Sequence, residues 1–585
     1  MSPGTETAEA HFKAGRLMEA QAAFWALVQT NPRQPGVWTR LGEIALKLGH
    51  ANQAFDFFGN AYDMTPNEAK VRLGLGQALR LMGRLEEAIP QLKKAALLDS
   101  ELGVPHLELA QIMDMLGRLE EASDAWSNYL ARHEHDAKAM MQSADVLMRL
   151  KRYDEADELL HMASLLESEN PAPLVMQGTI RLWCNETDAA ERLFHQALEV
   201  DPEFAPALFS LGNLAMSRDD FSKASDLFEK AHDAAPQDPR ITNNLGVSLK
   251  EQGRLDEAET ILRKAVETDP NFADAHWNLS TVLFLKGAWK EGFDEAEWRW
   301  EMTNFSTPKR DFNCAPWDGK PLPQGTLLVH AEQGLGDAFQ FVRYLPMLAK
   351  RARHVVLEAD PKQASLFTRS LPMIAVVERG NALPKADAHL ALLSAPRFLE
   401  APYGCEAYLS PDPERLAYWK NRLAANKQRP GPWVGLAWQG NPGYHADRRR
   451  SPGLAPLLDL LDLPAINLAS LQTGIGREQL LRLSEGPLDL GNEEDPAIGS
   501  GFEGTAAIVS ALDLVITSDS AIAHLAGALG KPLWILLPHI PDWRWQMEGE
   551  TSPWYPGAKL FRQPTPGDWA TPVNAVIERL RGLYV

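Results

Sequence analysis

The 585-residue sequence has few cysteines and no long apolar segment. Its three cysteines, Cys184, Cys314 and Cys405, lie far apart and show no spacing typical of a metal site. Reduced thiols are the simpler interpretation, although a disulfide stays open. No apolar run reaches the roughly 18 residues that a membrane helix needs, and residues 1–10 do not resemble a secretory signal. We therefore expect a cytoplasmic protein without a membrane span or a bound metal.

Several common catalytic motifs are also missing. The sequence contains no Walker A motif and no Gly-x-Gly-x-x-Gly after a predicted strand, which argues against a P-loop ATPase and an ordinary dehydrogenase. It lacks a Gly-x-Ser-x-Gly elbow, which argues against a serine hydrolase.

The net charge of −20 is unevenly distributed. Residues 1–300 contain 48 acidic and 30 basic side chains, whereas the remaining residues contain 30 and 28. An acidic N-terminal half repels phosphate backbones, so nucleic acid is not an expected partner.

The first half repeats with a period of 34 residues. The sequence Gly-Arg-Leu-Glu-Glu-Ala at residues 83–88 recurs at 117–122 and, with one Asp for Glu, at 253–258. The last residue of this six-residue sequence, five places after its glycine position, is an alanine in eight successive units, at positions 20, 54, 88, 122, 156, 190, 224 and 258. Each unit reads as two helices, with a turn residue that tolerates a left-handed backbone and a small alanine where the helices approach. Prolines at 32, 66, 202, 236 and 270 separate the units.

This pattern resembles the tetratricopeptide repeat, and it spans a predicted domain of about nine units at residues 1–304. Such units bury their apolar faces only by stacking on neighbours, so we expect a superhelix with a long groove that binds another protein. Asn244 and Asn278 stand 34 residues apart on the inner face of that groove. They are predicted to bind the backbone of an extended peptide, and an ordinary solvated surface is the alternative.

The second half has the pattern of parallel α/β domains. A proline-rich linker at 305–325 precedes an N-terminal lobe at 326–428 and a C-terminal lobe at 429–585. The predicted strands are 326–331, 354–359, 373–377, 389–393, 433–438, 466–471, 513–517, 532–537 and 559–562. Two open sheets in tandem bind ligands at the carboxyl ends of their strands.

Three loops at predicted strand ends contain small, hydroxyl or charged residues. The first contains Gly334, Gly336 and Asp337, and a plain helix cap is the alternative role for Asp337. The second contains Ser518, Asp519, Ser520 and Ala521 at the start of a helix that includes His524. A helix N-terminus favours phosphate, although His524 alone has a structural interpretation too.

The third loop contains Gln439, Gly440 and Asn441 and is followed by the arginine run at 448–450. Arginines bind phosphate oxygens well, and we take Arg448 and Arg449 as phosphate-binding candidates. A solvated basic turn is the alternative.

Together these loops resemble the catalytic region of bacterial tetratricopeptide-repeat glycosyltransferases. That region is similar to heptosyltransferases and O-linked N-acetylglucosamine transferases, and the order of parts is similar to that of flagellin glycosyltransferases. The matching segments are 334–337, 440–442, 518–524, 541–545 and 552–556. The resemblance implies a tetratricopeptide superhelix followed by a GT-B region of two Rossmann-like lobes.

The resemblance further implies an inverting, metal-independent protein O-glycosyltransferase without a cofactor. The donor would be a nucleotide sugar, expected to be a CMP-activated nonulosonic acid, and the acceptor a Ser or Thr hydroxyl of flagellin, modified in the cytoplasm. Asp337 and His524 would be the catalytic residues. Asp337 would act as general base, and His524 would support the donor-phosphate loop or donate a proton to the leaving group. The donor would be bound by Gly334, Gly336, Gln439, Gly440, Asn441, Arg448, Arg449 and the loop at 518–521, and the acceptor by Asn244 and Asn278. The competing hypotheses are a UDP-dependent N-acetylglucosamine transferase and an inactive repeat scaffold.

Overall fold

The computed structural model describes residues 3–400, 406–443, 446–492 and 501–584. The chain forms two compact units, residues 1–218 and 219–585. The second unit contains the last helical pairs together with both sheets, so these parts share one compact body. The thiols of Cys184 and Cys314 are unpaired.

The first unit consists of antiparallel helices. Their bounds are α1 Pro3–Lys13, α2 Leu17–Thr30, α3 Pro35–Lys47, α4 Ala51–Met64, α5 Ala69–Leu81, α6 Leu85–Leu98, α7 Val104–Met115, α8 Leu119–Leu130, α9 Ala137–Arg149, α10 Tyr153–Leu166, α11 Ala172–Trp183, α12 Thr187–Val200 and α13 Ala205–Ser217. The second unit continues the same pattern with α14 Phe221–Ala234, α15 Pro239–Glu251, α16 Leu255–Thr268, α17 Ala273–Leu285 and α18 Trp289–Glu295.

The predicted 34-residue frame is confirmed in both units. The turn residue of each pair has a positive φ between 60° and 78°, at Gly15, Gly49, Gly83, Gly117, Lys151, Asn185, Asp219, Gly253 and Gly287. The frame alanines from Ala20 to Ala258 are fully buried. Small side chains at these points allow close helix packing, which explains why the frame is visible in the sequence.

A buried ion pair connects the end of the repeats to the first sheet. Arg299 lies in a short 3₁₀ helix, Ala296–Glu301, and is fully buried. Its guanidinium donates to Glu332 Oε1 at 2.8 Å and to Ser394 Oγ at 2.8 Å. Because a buried charge is costly without partners, these contacts hold the repeat end against the sheet.

The first sheet is parallel, and within the described residues it has five strands. These are β1 Ala315–Pro316, β2 Leu322–His330, β3 Ala352–Ala359, β4 Ala375–Glu378 and β5 Ala388–Ala391, in the order β1-β5-β2-β3-β4. Its helices are α19 Leu335–Phe341, α20 Leu345–Leu348 and α21 Pro361–Ser370. The last four residues of β2 and the last five of β3 are buried, as expected for the centre of a parallel sheet covered on both faces.

The second sheet is also parallel, with six strands among the described residues. These are β6 Trp433–Ala437, β7 Asn467–Ser470, β8 Leu488–Asp489, β9 Leu514–Ser518, β10 Leu533–Leu537 and β11 Ala558–Arg562, in the order β11-β10-β9-β6-β7-β8. The helices around it are α22 Pro413–Ala425, α23 Asp447–Arg450, α24 Phe502–Ala511, α25 Ala521–Ala528 and α26 Ala570–Tyr584. Further 3₁₀ helices lie at Val342–Tyr344, Leu392–Arg397, Ala455–Asp462, Arg477–Arg482 and Trp543–Trp545.

Each predicted strand has an observed counterpart, with shifted ends. The segment interpreted as a linker, 305–325, contributes β1 and the first residues of β2. Residues 338–350, which have the sequence pattern of one continuous helix after the first loop, do not form one. The helix begins at Leu335 and gives way to a 3₁₀ turn at Val342, ahead of Pro346 in the first turn of α20. Proline has no amide to continue a helix, so the segment splits there.

Across the residues that the structure describes, no helix is long and apolar enough to cross a bilayer.

Candidate functional site

The candidate loops lie where the strand order of each sheet reverses. In the second sheet, β6 and β9 are neighbours, and the chain winds outward from them in opposite directions. In the first sheet, β2 occupies the same position between β5 and β3. The loops at 331–337, 438–441 and 519–520 follow β2, β6 and β9. Crevices at such switch points are where open parallel sheets bind ligands.

The loop of the first sheet meets the loop of the second at Gly336. A Cβ atom on Gly336 would lie 2.9 Å from His524 Cδ2 and 3.5 Å from Cα of Ala521. Only glycine therefore allows this approach without displacement. The two loops that the sequence singled out for chemistry are brought together, although they are about 190 residues apart in the chain.

Asp337 is the third residue of α19, and both of its carboxylate oxygens are engaged. The amide of Gly334 donates to Oδ2 at 2.8 Å, so the carboxylate caps the helix. The guanidinium of Arg544, in the 3₁₀ helix Trp543–Trp545 after β10, donates to Oδ1. Asp337 therefore caps its helix with one carboxylate oxygen and contacts the residues of the site with the other.

Arg544 is held by four groups in a largely buried position. Besides Asp337, it binds Asp542 Oδ1 at 2.9 Å and Gln340 Oε1 at 2.6 Å. Its guanidinium lies 4.2 Å from the ring centroid of Trp543. Burial raises the pKa of the Asp337 carboxyl above its usual range, and Arg544 only partly offsets this effect. A carboxylate with a raised pKa is a better proton acceptor.

The start of α25 has the features of an anion site. Ser520 is the N-cap residue, but its side chain caps no amide and lies 3.1 Å from Thr517 Oγ1 instead. The first amides of this eight-residue helix are thus not capped by Ser520. Ser518 Oγ is buried and has no hydrogen-bond partner among the described residues. Amides at a helix N-terminus bind phosphate through hydrogen bonds and the helix dipole.

Asp519 is buried beside this helix start, with 5% of its surface exposed. Burial, reinforced by the charge of Asp542, raises its pKa to about 6. Arg450 Nη1, 4.0 Å from Oδ2, partly opposes the shift. This carboxyl therefore changes its protonation state close to neutral pH.

His524 is a buried, neutral imidazole. Its Nδ1 lies 2.9 Å from the hydroxyl of Tyr555, and its ring stacks on Trp545 with centroids 5.4 Å apart. Burial, together with nearby arginines including Arg544, holds the pKa of His524 well below its ordinary value. A neutral imidazole is a poor acid, so the geometry favours the supporting role considered for His524 over proton donation.

The loop after β6 is fixed by side-chain hydrogen bonds. Gln472 accepts from the amides of Trp438 and Gln439 at 3.1 and 3.0 Å. A Cβ on Gly440 would lie 2.6 Å from Asp447 Oδ1 and 2.7 Å from an Arg450 nitrogen.

The same loop presents one amide side chain at its exposed tip. Asn441 is exposed, and its Oδ1 accepts from the amide of Gly443 at 3.0 Å. Arg450, which fills the space beside Gly440, lies 4.0 Å from Asp519 Oδ2. His445, which follows this loop in the sequence, lies outside the described residues.

The three arginines of α23 have different partners. Arg448 binds Asp219 Oδ2 at 2.8 Å. Arg449 binds Glu251, at the end of α15, and both arginines thus engage the repeats. Arg450 lies 3.2 Å from Asp447 and turns toward Asp519. The structure therefore places Arg450, which the sequence did not single out, nearer to the start of α25 than Arg448 and Arg449.

Asn244 and Asn278 lie on α15 and α17 and are linked through Asn243. Asn278 donates to Asn243 Oδ1 at 2.9 Å, and Asn243 donates to Asn244 Oδ1 at 3.0 Å. This amide row follows successive repeats, with Asn243 buried and Asn244 and Asn278 half-buried. Amide groups in such a row have the donors and acceptors that an extended peptide backbone needs.

Four side chains in the cluster were not proposed as site residues from the sequence, namely Arg450, Asp542, Arg544 and Tyr555. The motif at 541–545 was visible, but nothing in it shows that Arg544 reaches a carboxylate 207 positions earlier. Among the described residues, no group of three or more His, Cys, Asp or Glu side chains is arranged to hold a metal ion.

Comparisons with known proteins address the repeats. Two family models described as tetratricopeptide repeat match the chain, one at residues 45–101 and 185–245, the other at 5–69, 109–160 and 243–298. Protein FlbA of Caulobacter vibrioides is 28% identical over an alignment of 329 residues that covers 52% of this chain and 54% of that protein. The chain thus spans about half the length of this curated relative.

Solved structures show similarity at low scores. YrrB, described as a TPR protein with an unusual peptide-binding site, is 17% identical with a TM-score of 0.30 and is covered over 97% of its length, which corresponds to 32% of this chain. MamA is 18% identical with a TM-score of 0.27, covering 96% of its own chain and 29% of this one. With the family models, the 34-residue frame and the positive-φ turns in agreement, the helical part of this chain is an array of tetratricopeptide repeats.

Proposed function

We propose that the chain is a protein O-glycosyltransferase that transfers a sugar from a nucleotide donor to a Ser or Thr hydroxyl. The observation that supports this most is the meeting of two switch-point loops at Gly336 and His524. A carboxylate with a raised pKa and a helix N-terminus lie on opposite sides of that contact. Sugar transfer needs a base for the acceptor and an anion site for the leaving nucleotide.

The donor phosphate would lie at the start of α25. Ser520 and the amide of Ala521 would donate hydrogen bonds to its oxygens, and Arg450 would supply the nearby positive charge. Protonated Asp519 would donate a further hydrogen bond, whereas its ionised form would repel the phosphate. Gly440 leaves the Arg450 side chain room to remain beside this site.

The acceptor hydroxyl would approach from the side of Gly334 and Gly336. Asp337 would take its proton as the hydroxyl oxygen attacks the anomeric carbon, and the bond from that carbon to the phosphate oxygen would break. Attack opposite to the leaving group inverts the configuration at this carbon. Arg544 and the Gly334 amide would hold the carboxylate in place without using all of its lone pairs.

The repeats would hold the acceptor protein, with the row of Asn244 and Asn278 as contacts for an extended segment. We propose flagellin as the acceptor and a CMP-activated nonulosonic acid as the donor, with modification in the cytoplasm before export. These identities rest on the resemblance to flagellin glycosyltransferases. Asp337 and the loop at 518–521 distinguish this proposal from an inactive scaffold, because both retain chemically useful groups.

Intact-mass measurement of flagellin tests the proposal in cells. Flagellin from cells with the chain is expected to carry added mass in nonulosonic acid increments, and flagellin from cells without it is expected to be unmodified. An increment of N-acetylhexosamine would instead support the UDP-dependent alternative. Equal masses in the two samples would refute flagellin as the acceptor.

A further inference from the structure

Helix α23 connects the repeats to the candidate donor site. Its consecutive residues Arg448 and Arg449 reach carboxylates of the repeats, whereas Arg450 lies near Asp447 and Asp519. The helix also follows directly after the loop that carries Gly440 and Asn441. Its orientation therefore decides where Arg450 lies.

Arg449 has three partners on the repeats. Its guanidinium pairs with Glu251 and lies 3.5 Å from Asp219 Oδ1. It also lies 5.1 Å from the centroid of the Phe221 ring, at the start of α14. A planar guanidinium between two carboxylates and an aromatic face is restrained in both position and direction.

Asp219 occupies a position where the repeat frame favours glycine. It is a turn residue with φ of 60°, and the following two turns have Gly253 and Gly287 there. A non-glycine residue in this conformation costs free energy, although Asp tolerates it better than most residues. The carboxylate offsets this cost by pairing with Arg448 and Arg449.

Glu251 is held in its ionised form beside Arg449. Burial opposes its ionisation, yet Lys250 and Arg449 outweigh burial and hold the pKa of this carboxyl below its ordinary value. Gln252, the next residue, donates to the carbonyl of Phe221 at 2.9 Å. The chain segments that carry Glu251 and Phe221, both of which contact Arg449, are therefore hydrogen-bonded to each other.

We propose that Arg449 is a positioning residue, whose ion pairs with Asp219 and Glu251 orient α23 so that Arg450 faces the donor phosphate. This inference rests on the proposed function, because it assigns the phosphate to the site beside Asp519. In this arrangement the repeats do more than recruit the acceptor, since one of their turns sets the donor affinity. Loss of the ion pairs of Arg449 leaves α23 free to rotate, so that Arg450 no longer lies beside the phosphate.

The test removes the two carboxylates without disturbing the repeats. Asp219→Gly installs the residue that the frame has at the next two turns, and Glu251→Gln keeps the size of the side chain. Lys151→Gly is the matched control, because Lys151 has the same turn position and a φ of 61° in the first unit. Full-length parent, single, double and control variants are compared by thermal melting, by hydrogen exchange of the amides at 447–451, and by calorimetric titration with CMP and UDP.

The double variant is expected to melt close to the control, to exchange the 447–451 amides about tenfold faster, and to bind the preferred nucleotide about tenfold more weakly. The control is expected to match the parent in exchange and affinity. Unchanged exchange, or faster exchange with unchanged nucleotide affinity, would overturn the role of Arg449 and leave the glycosyltransferase proposal standing. A parent protein that binds neither CMP nor UDP would overturn the donor site, and the positioning role with it.

Discussion

Replacement of Asp337 by asparagine separates catalysis from helix capping. Asparagine caps helices about as well as aspartate, so the hydrogen bond from the Gly334 amide is expected to persist. Arg544 keeps Asp542 and Gln340 as partners, which limits the loss of folding stability to about 1–2 kcal/mol. An amide cannot accept the acceptor proton, and the rate of sugar transfer is expected to fall by about 10²–10⁴-fold. This loss corresponds to about 3–5 kcal/mol in activation free energy.

Asp542→Asn is the matched control for this variant. It makes the same chemical change to another carboxylate that binds Arg544. Initial rates by intact mass and melting temperatures are measured for parent, Asp337→Asn and Asp542→Asn. The reasoning is refuted if both variants lose the same activity, because the effect then comes from Arg544. It is also refuted if Asp337→Asn transfers sugar at close to the parental rate.

Three further predictions follow from the same geometry. Ser520→Glu places a negative charge at the start of α25, so donor nucleotide binding is expected to disappear, and unchanged affinity by calorimetry would place the phosphate elsewhere. Asp519 has a pKa raised to about 6, so its ionised form is disfavoured in the folded protein and its contribution to stability declines as pH rises from about 4 to about 6. Asp519→Asn is therefore expected to gain stability relative to the parent across this window, up to about 3 kcal/mol at pH 7. If the difference in unfolding free energy between variant and parent is the same at pH 4 and pH 7, the raised pKa is contradicted. A fragment of residues 219–585 is expected to fold and to bind nucleotide, but to modify little acceptor protein. A fragment of residues 305–585 is expected to aggregate, because it exposes the ring of Trp543 that packs on α17. A monomeric, active 305–585 fragment would disprove this.

The repeats were predictable from the sequence because their signals are local. A turn with positive φ needs glycine or a tolerant residue, and close helix packing needs alanine, so both recur at fixed spacing. Lys151 is the exception, since lysine gives no turn signal at its position and only the frame on either side reveals it. Longer strands such as β6 and β10 were predictable for a similar reason, because runs of buried apolar residues mark them.

The short strands and the split helix could not be predicted in the same way. Ala315–Pro316 and Leu488–Asp489 are two residues long, which is too short for any periodicity to appear. They are defined by their pairing with β5 and β7, and pairing is a tertiary property.

The candidate site shows the same division between local and distant information. Glycine and hydroxyl residues after strands indicated the loops at 334–337 and 518–521. The sequence did not show which arginine serves which loop, because Arg448 and Arg449 pair with repeat carboxylates about 200 positions earlier. The contact between Arg544 and Asp337 likewise depends on how the two sheets pack.

Reconstitution with purified components is the most direct test of sugar transfer. The full-length chain is incubated with flagellin and a CMP-activated nonulosonic acid, and intact flagellin mass and released CMP are measured together. We expect one CMP for each sugar added, and almost no addition with Asp337→Asn. Unmodified flagellin with this donor and with UDP-N-acetylglucosamine, at protein concentrations where flagellin is bound to the repeats, would contradict the glycosyltransferase proposal.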